Sequence, residues 1–142
     1  MPKVYLINTN KTNNPQNEVE MMTKGKAAAY YSPWKYMINE IEVNDLVYLY
    51  SNGKGIIGRG VATGIVEVGD TGDMKNEEHY MYLDRFEKLD KPLSSADIVS
   101  LAKSVTDDQY TIKWNQTMIH LPYFIGLEVW QHITRNCIAS NG

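Results

Sequence analysis

A single cysteine, Cys137, stands in 142 residues, so the chain can form neither an intramolecular disulfide nor a cysteine metal cluster. Its three histidines, His79, His120 and His132, lie far apart and show none of the spacing of a ligand set. No apolar run is long enough to span a bilayer, and Met1-Pro2-Lys3 running into a strand-like segment does not read as a signal peptide, so none is expected. Internal repeats, low-complexity tracts and linkers are missing, and no nucleophile has a partner base at a recognisable spacing. These absences lead us to expect a soluble, cytoplasmic protein without metal, cofactor or membrane partner. What is present, 43% hydrophobic and 22% charged residues, suits one domain over residues 1–142 with a real core.

The chain is organised around Asp45 to Gly64. Leu46 to Tyr50 is apolar and aromatic without a polar break, and Ile56 to Val66 is β-branched and glycine-rich, which predicts a core hairpin rather than a helix. Ser51 to Gly55 supplies residues that tolerate the positive φ of a tight reversal. The spacing Gly53-x-Gly55-x-x-Gly58 also matches a phosphate-binding loop. Such a loop opens a helix whose amides hold the phosphates, however, and here a strand follows. A kinase uses a glycine loop between strands, but 142 residues leave no room for the rest of one. Gly58, Gly60 and Gly64 therefore read as bulges or bends where a small barrel curls.

In chain order, Lys3 to Asn8 reads as a strand and Thr9 to Asn17 as a polar surface loop. Glu18 to Tyr31 is open between helix and extended chain, because Ala27-Ala28-Ala29 permits both. Ser32 and Pro33 then suit a helix start, with Trp34, Met37, Ile38 and Ile41 forming its apolar stripe. Gly69 to Glu78 reads as an acidic loop and Tyr80 to Leu89 as a strand. Ser94 with Asp97 resembles a capping box, Leu93 with Ile98 a hydrophobic staple, and Ile98, Leu101, Ala102 and Val105 the buried stripe of the helix that follows. Tyr110 to Trp114 predicts a short strand, Met118 to Phe124 is an apolar run, and Leu127, Trp130 and Ile133 predict a final helix.

Net charge is −3, which argues against a protein that simply coats nucleic acid. The charge is unevenly spread. Residues 1–35 hold five lysines against two glutamates, whereas residues 36–110 hold seven basic and fourteen acidic side chains. A face built from the two ends of the chain can be basic on an otherwise acidic protein, although an ordinary mixed surface fits the same numbers.

The order of these segments carries a resemblance. The initial strand, the polar loop, the short helix around Trp34, the strand Asn44-Asp45-Leu46-Val47-Tyr48-Leu49-Tyr50, the Gly55-Ile56-Ile57-Gly58 strand and the junction Phe86 to Asp97 together are similar to the EVE domain of the PUA-like superfamily, over roughly residues 3 to 134. Asn44 stands where such domains often have glycine, and asparagine tolerates the same positive φ. The resemblance implies an α+β fold, a five- or six-stranded PUA-like barrel with flanking helices, and a pocket for a nucleobase, commonly a modified one. It also implies kinship with YTH domains, which hold methylated adenine in an aromatic cage.

The residues can supply such a pocket. Recognition of a base outside a duplex needs aromatic faces, groups for the Watson–Crick edge and cations for flanking phosphates. Tyr30, Tyr31, Trp34 and Trp114 offer faces; Asn8, Thr9, Asn10, Asn115, Gln116 and Thr117 offer polar edges; Lys11, Lys26, Lys35 and Lys113 can meet phosphate. Each has a plainer use: Trp34 in a helical stripe, Trp114 in a strand, Trp130 as core, His120 outside the pocket, and Asn8 and Asn10 as turn residues. The expectation is a non-enzymatic module that reads a base in DNA or RNA. The alternatives are a hydrolase of the related ASCH type, for which Lys26, Lys35, Asp45 and Glu67 are the available groups, and a protein-interaction module.

Overall fold

A computed structural model describes residues 2–106 and 110–138. In order these form β1 (Val4–Asn8), α1 (Pro15–Lys24), β2 (Lys26–Tyr30), a 3-10 helix (Trp34–Glu40), β3 (Leu46–Ser51), β4 (Gly55–Ala62), β5 (Glu67–Thr71), β6 (Met74–Leu93), α2 (Ser95–Val105), β7 (Met118–Leu121) and α3 (Tyr123–Asn136). The architecture is mixed α+β. Six strands follow the path β2-β6-β4-β3-β1-β7, and β5 pairs with β6 off that path.

β3 lacks a polar break because both of its faces are buried. Val47 and Leu49 join Tyr5 and Ile7 of β1, Ala28 and Tyr30 of β2, and Ile38 and Ile41 in one core. Tyr48 and Tyr50 join Val4 and Leu6 in a second core, closed by Ile98 and Ala102 of α2 and by Ile125, Val129 and Ile133 of α3. The period-two alternation of a strand thus feeds two cores at once. Within the second core β3 is tied to α3: the Tyr48 hydroxyl donates to the Gly126 carbonyl at 2.6 Å. Tyr48→Phe is expected to cost about 1 kcal/mol, read as a melting temperature lower by roughly 3 °C.

The sheet curls at β6, which pairs with β5 and β2 through its first half and with β4 from Leu83 onward. Arg85 takes φ 53° where the partners change. At this corner a side chain on Gly60 would place its Cβ 2.7 Å from the Leu83 Cβ, so glycine sets how closely β4 and β6 approach. Asn44 takes φ 74° before β3, and Asp45 accepts from the Lys3 and Glu42 amides at 2.9 and 2.8 Å.

Several expectations are corrected. Part of the polar loop after β1 and the undecided segment beyond it form α1, capped by Asn14, whose side chain accepts from the Gln16 amide, and ended by Gly25 in the left-handed region. Ala27 to Ala29 belongs to a strand. Residues 69–78 lie in the β5–β6 hairpin rather than a loop, because Gly72 at φ 56° allows the reversal. Residues 110–114 are irregular, not a strand. In α3 the buried stripe is Ile125, Gly126, Val129 and Ile133, with Leu127 outward. Trp130 is half-buried, with the Arg59 guanidinium 4.3 Å from its ring.

Candidate functional site

The strand path leaves β2 at one end and β1 with β7 at the other. Between these ends lies a cavity of about 400 Å³, within the roughly 300–1,000 Å³ of small-ligand sites. One wall is β2 and its continuation: Ala28, Ala29, Tyr30, Tyr31 and Trp34. The opposite wall is the end of β1 with the approach to β7: Asn8, Asn10, Asn13 and residues 115–117. The Asn8 amide donates to the Thr117 carbonyl at 2.8 Å, so those two segments move as one wall.

The aromatic wall is held open. Trp34 begins the 3-10 helix but turns outward at 47% exposure, while Ile38 and Ile41 carry the helix into the core. Tyr31 is 45% exposed and sits at φ 65°, a left-handed conformation that costs a bulky residue about 1–2 kcal/mol. Backbone outliers of this kind gather at ligand sites. Lys35 N–H donates to the Tyr31 carbonyl and Tyr31 N–H to the Glu77 carbonyl, both at 2.8 Å, which fixes the turn. Tyr30 is 7% exposed and its hydroxyl has no hydrogen-bond partner among the described residues. Burial, reinforced by the Glu78 and Glu20 carboxylates, raises the pKa of this phenol far above its ordinary value, so it remains a donor.

The amide wall is ordered by its own hydrogen bonds. Asn8 Oδ1 accepts from the Asn10 amide at 2.8 Å, and Asn10 Oδ1 accepts from Asn13 Nδ2 at 2.8 Å. That arrangement leaves Nδ2 of Asn8 and of Asn10 as donors and Oδ1 of Asn13 as an acceptor. A mixed set of fixed donors and acceptors opposite aromatic faces is suited to a flat heterocycle with a polar edge. Among the described residues no charged side chain lines the cavity.

Most of the residues expected to meet a base are brought together here: Asn8, Asn10, Tyr30, Tyr31, Trp34, Asn115 and Gln116. Trp114 lines an adjoining cavity instead, with its ring stacked on Tyr50 at 4.9 Å and 22°. Thr9 does not reach the site; it is fully buried and donates to Glu18 Oε1 at 2.7 Å, because its amide is already fixed to the Tyr50 carbonyl. Two of the four expected phosphate ligands are committed elsewhere. Lys26 is 2% exposed, with Nζ 2.6 Å from Glu78 and 3.1 Å from Glu20. A buried ammonium needs such partners and cannot give them up cheaply. Lys35 Nζ donates to the Asn76 carbonyl at 3.0 Å and lies 3.3 Å from Glu77. Lys11 is half-buried and Lys113 exposed. His120 is exposed, with its ring 5.4 Å from that of Tyr5. Asn13, Ala28 and Ala29 were not anticipated; small side chains on β2 are what leave room for the cavity.

Among the described residues no group of histidine, cysteine, aspartate or glutamate could hold a metal ion, and no helix is long and apolar enough to cross a membrane. Neither a family model nor a curated protein sequence matches the chain. Solved structures do. A hypothetical protein from Leishmania major is similar at a TM-score of 0.58 and 9% identity, over 95% of this chain and 96% of that one. A protein from Agrobacterium tumefaciens gives 0.55 at 12% identity over 98% and 99%. A protein from Pseudomonas putida gives 0.52 at 13% over 93% and 97%. At these identities the chain shares with them a fold, nearly end to end.

Proposed function

We propose that this protein is a non-enzymatic binding module of the EVE type, with a PUA-like barrel, that holds a single neutral base of DNA or RNA in the cavity between β2 and the β1–β7 wall. The observation that carries the reading is the lining itself: exposed Tyr31 and Trp34 faces opposite ordered asparagine amides, with no charge between them. Aromatic faces supply stacking, worth about 1–3 kcal/mol per base. The amides read a polar edge. Ala28 and Ala29 offer a small apolar wall, which favours a base carrying an added methyl group over its unmodified form.

Two comparisons favour this reading over its rivals. A hydrolase needs a carboxylate, lysine or imidazole converging on the bound substrate, and none lines the cavity among the described residues. Of the groups available for that role, Lys26, Lys35 and Asp45 are engaged in structural contacts and Glu67 is on β5. A protein-docking site presents a flat apolar patch, whereas Tyr31 and Trp34 border a cavity.

The test is tryptophan fluorescence titration with the four ribonucleosides, thymidine, N6-methyladenosine and 5-methylcytidine. Saturable quenching by at least one is expected, with a methylated base preferred over its parent by about tenfold, or 1.4 kcal/mol. Absence of saturable quenching by every member of the panel overturns the reading.

A further inference from the structure

The base cavity adjoins a second one. Asn8, Asn10, Asn13 and Asn115 line both, and the second, of about 340 Å³, extends to Asn52 and Trp114. Asn52 Nδ2 donates to Thr12 Oγ1 at 3.1 Å, which holds the asparagine loop against the β3–β4 turn. Tyr50 stacks on Trp114 and fixes the plane of that wall.

Three lysines close in sequence to the lining of this second cavity differ from most of those in the first part of the chain. Lys3, Lys24, Lys26 and Lys35 are each ion-paired. Lys11 lies between the lining residues Asn10 and Thr12, Lys113 precedes Trp114, and Lys54 follows Asn52 by two positions. Among the described residues none of these three side chains has an acidic partner, and neither cavity is lined by a carboxylate. Three lysines without acidic partners, on the chain segments that line a polar trough, put positive charge in its neighbourhood and attract a polyanion that the lining itself does not repel.

We propose that the second cavity receives the sugar and phosphate of a nucleotide adjoining the bound base, so that the ligand is a short single-stranded segment of nucleic acid rather than a free base. The base enters the first cavity, the backbone passes over the shared asparagines, and Lys11, Lys54 and Lys113 neutralise the flanking phosphates. This assignment rests on the base-pocket reading and gives it a ligand class. It also adds Lys54 to the phosphate contacts in place of Lys26 and Lys35.

The experiment compares the tightest-binding nucleoside of the panel with a trinucleotide carrying the same base at its centre. The wild type, a Trp34→Ala variant and a Lys11→Ala/Lys54→Ala/Lys113→Ala variant are titrated, and the melting temperature of each is recorded. The trinucleotide is expected to bind at least about tenfold tighter than the nucleoside. The triple variant should lose that gain, keep the nucleoside affinity and melt as the wild type does. Log affinity for the trinucleotide against log salt should slope at about −2 for three neutralised phosphates and flatten in the triple variant. Equal affinity for nucleoside and trinucleotide, with Trp34→Ala still weakening both, overturns the second cavity and leaves the base pocket standing. Absence of binding by either ligand overturns the base pocket and this assignment with it.

Discussion

Trp34→Ala is expected to weaken the best-bound nucleoside by about 5- to 150-fold, the equivalent of about 1–3 kcal/mol for one lost stack. It should leave the melting temperature within about 2 °C of the wild type. Both halves follow from placement: Trp34 borders the cavity yet is 47% exposed, so little of its surface stabilises the fold. Trp114→Ala makes the contrast. That ring stacks on Tyr50 and packs against the second core, so its truncation should cost about 2 kcal/mol, below the 3–5 of a fully buried tryptophan. Its effect on the nucleoside should be small. Early melting of Trp34→Ala with unchanged nucleoside affinity would return that residue to the core and remove the aromatic face on which the proposal depends.

The largest loss of stability is expected at Gly55. Its φ is 113°, and a Cβ there would lie 2.0 Å from the Leu93 carbonyl oxygen and 2.8 Å from the Ser94 Cα. Backbone atoms at the end of β6 and the cap of α2 cannot step aside as a flexible side chain would. Gly55→Ala therefore combines a left-handed penalty of about 1–2 kcal/mol with an overpacking penalty of about 1–3 kcal/mol. Thermal denaturation should show melting lower by on the order of 10 °C. Gly53 is the internal control. It has φ 87° in the same turn but nothing within 4 Å of its would-be Cβ, so Gly53→Ala should show the first penalty alone. Equal shifts for the two variants would mean that the β6–α2 junction yields and that contact with the hairpin does not hold it.

The strands that bury two faces were legible in the sequence because hydrophobic runs and glycine turns act locally. Leu46 to Tyr50, Ser51 to Gly55 and the Ser94 cap all lie where their residues indicate. Elements whose signals are capping rather than periodicity were obscured. α1 has only two buried residues, Asn17 and Met21, so its apolar stripe is nearly absent and Asn14-Pro15 with Gly25 is its chief mark. The β5–β6 hairpin is mostly solvent-facing, with Val68 and Met74 exposed, and its composition therefore resembles a loop. For the site, residue type located the pocket walls but not the state of each cation. Lys26 and Lys35 look like Lys11 and Lys113 in one dimension; carboxylates 52 and 42 positions away decide that they are structural. Thr9 is lost for the same reason, since Glu18 reaches it only once α1 folds back.

The cavity's place in the strand path has a mechanical meaning. Three strands, β6, β4 and β3, separate β2 from β1 in the sheet, yet both line the same opening. A planar guest seated there would act as a missing stave, bracing two margins that the polypeptide leaves unjoined. Loosening anywhere along the intervening strands would spread those margins and release the guest, so retention of the ligand would gauge the tension of the whole curled sheet.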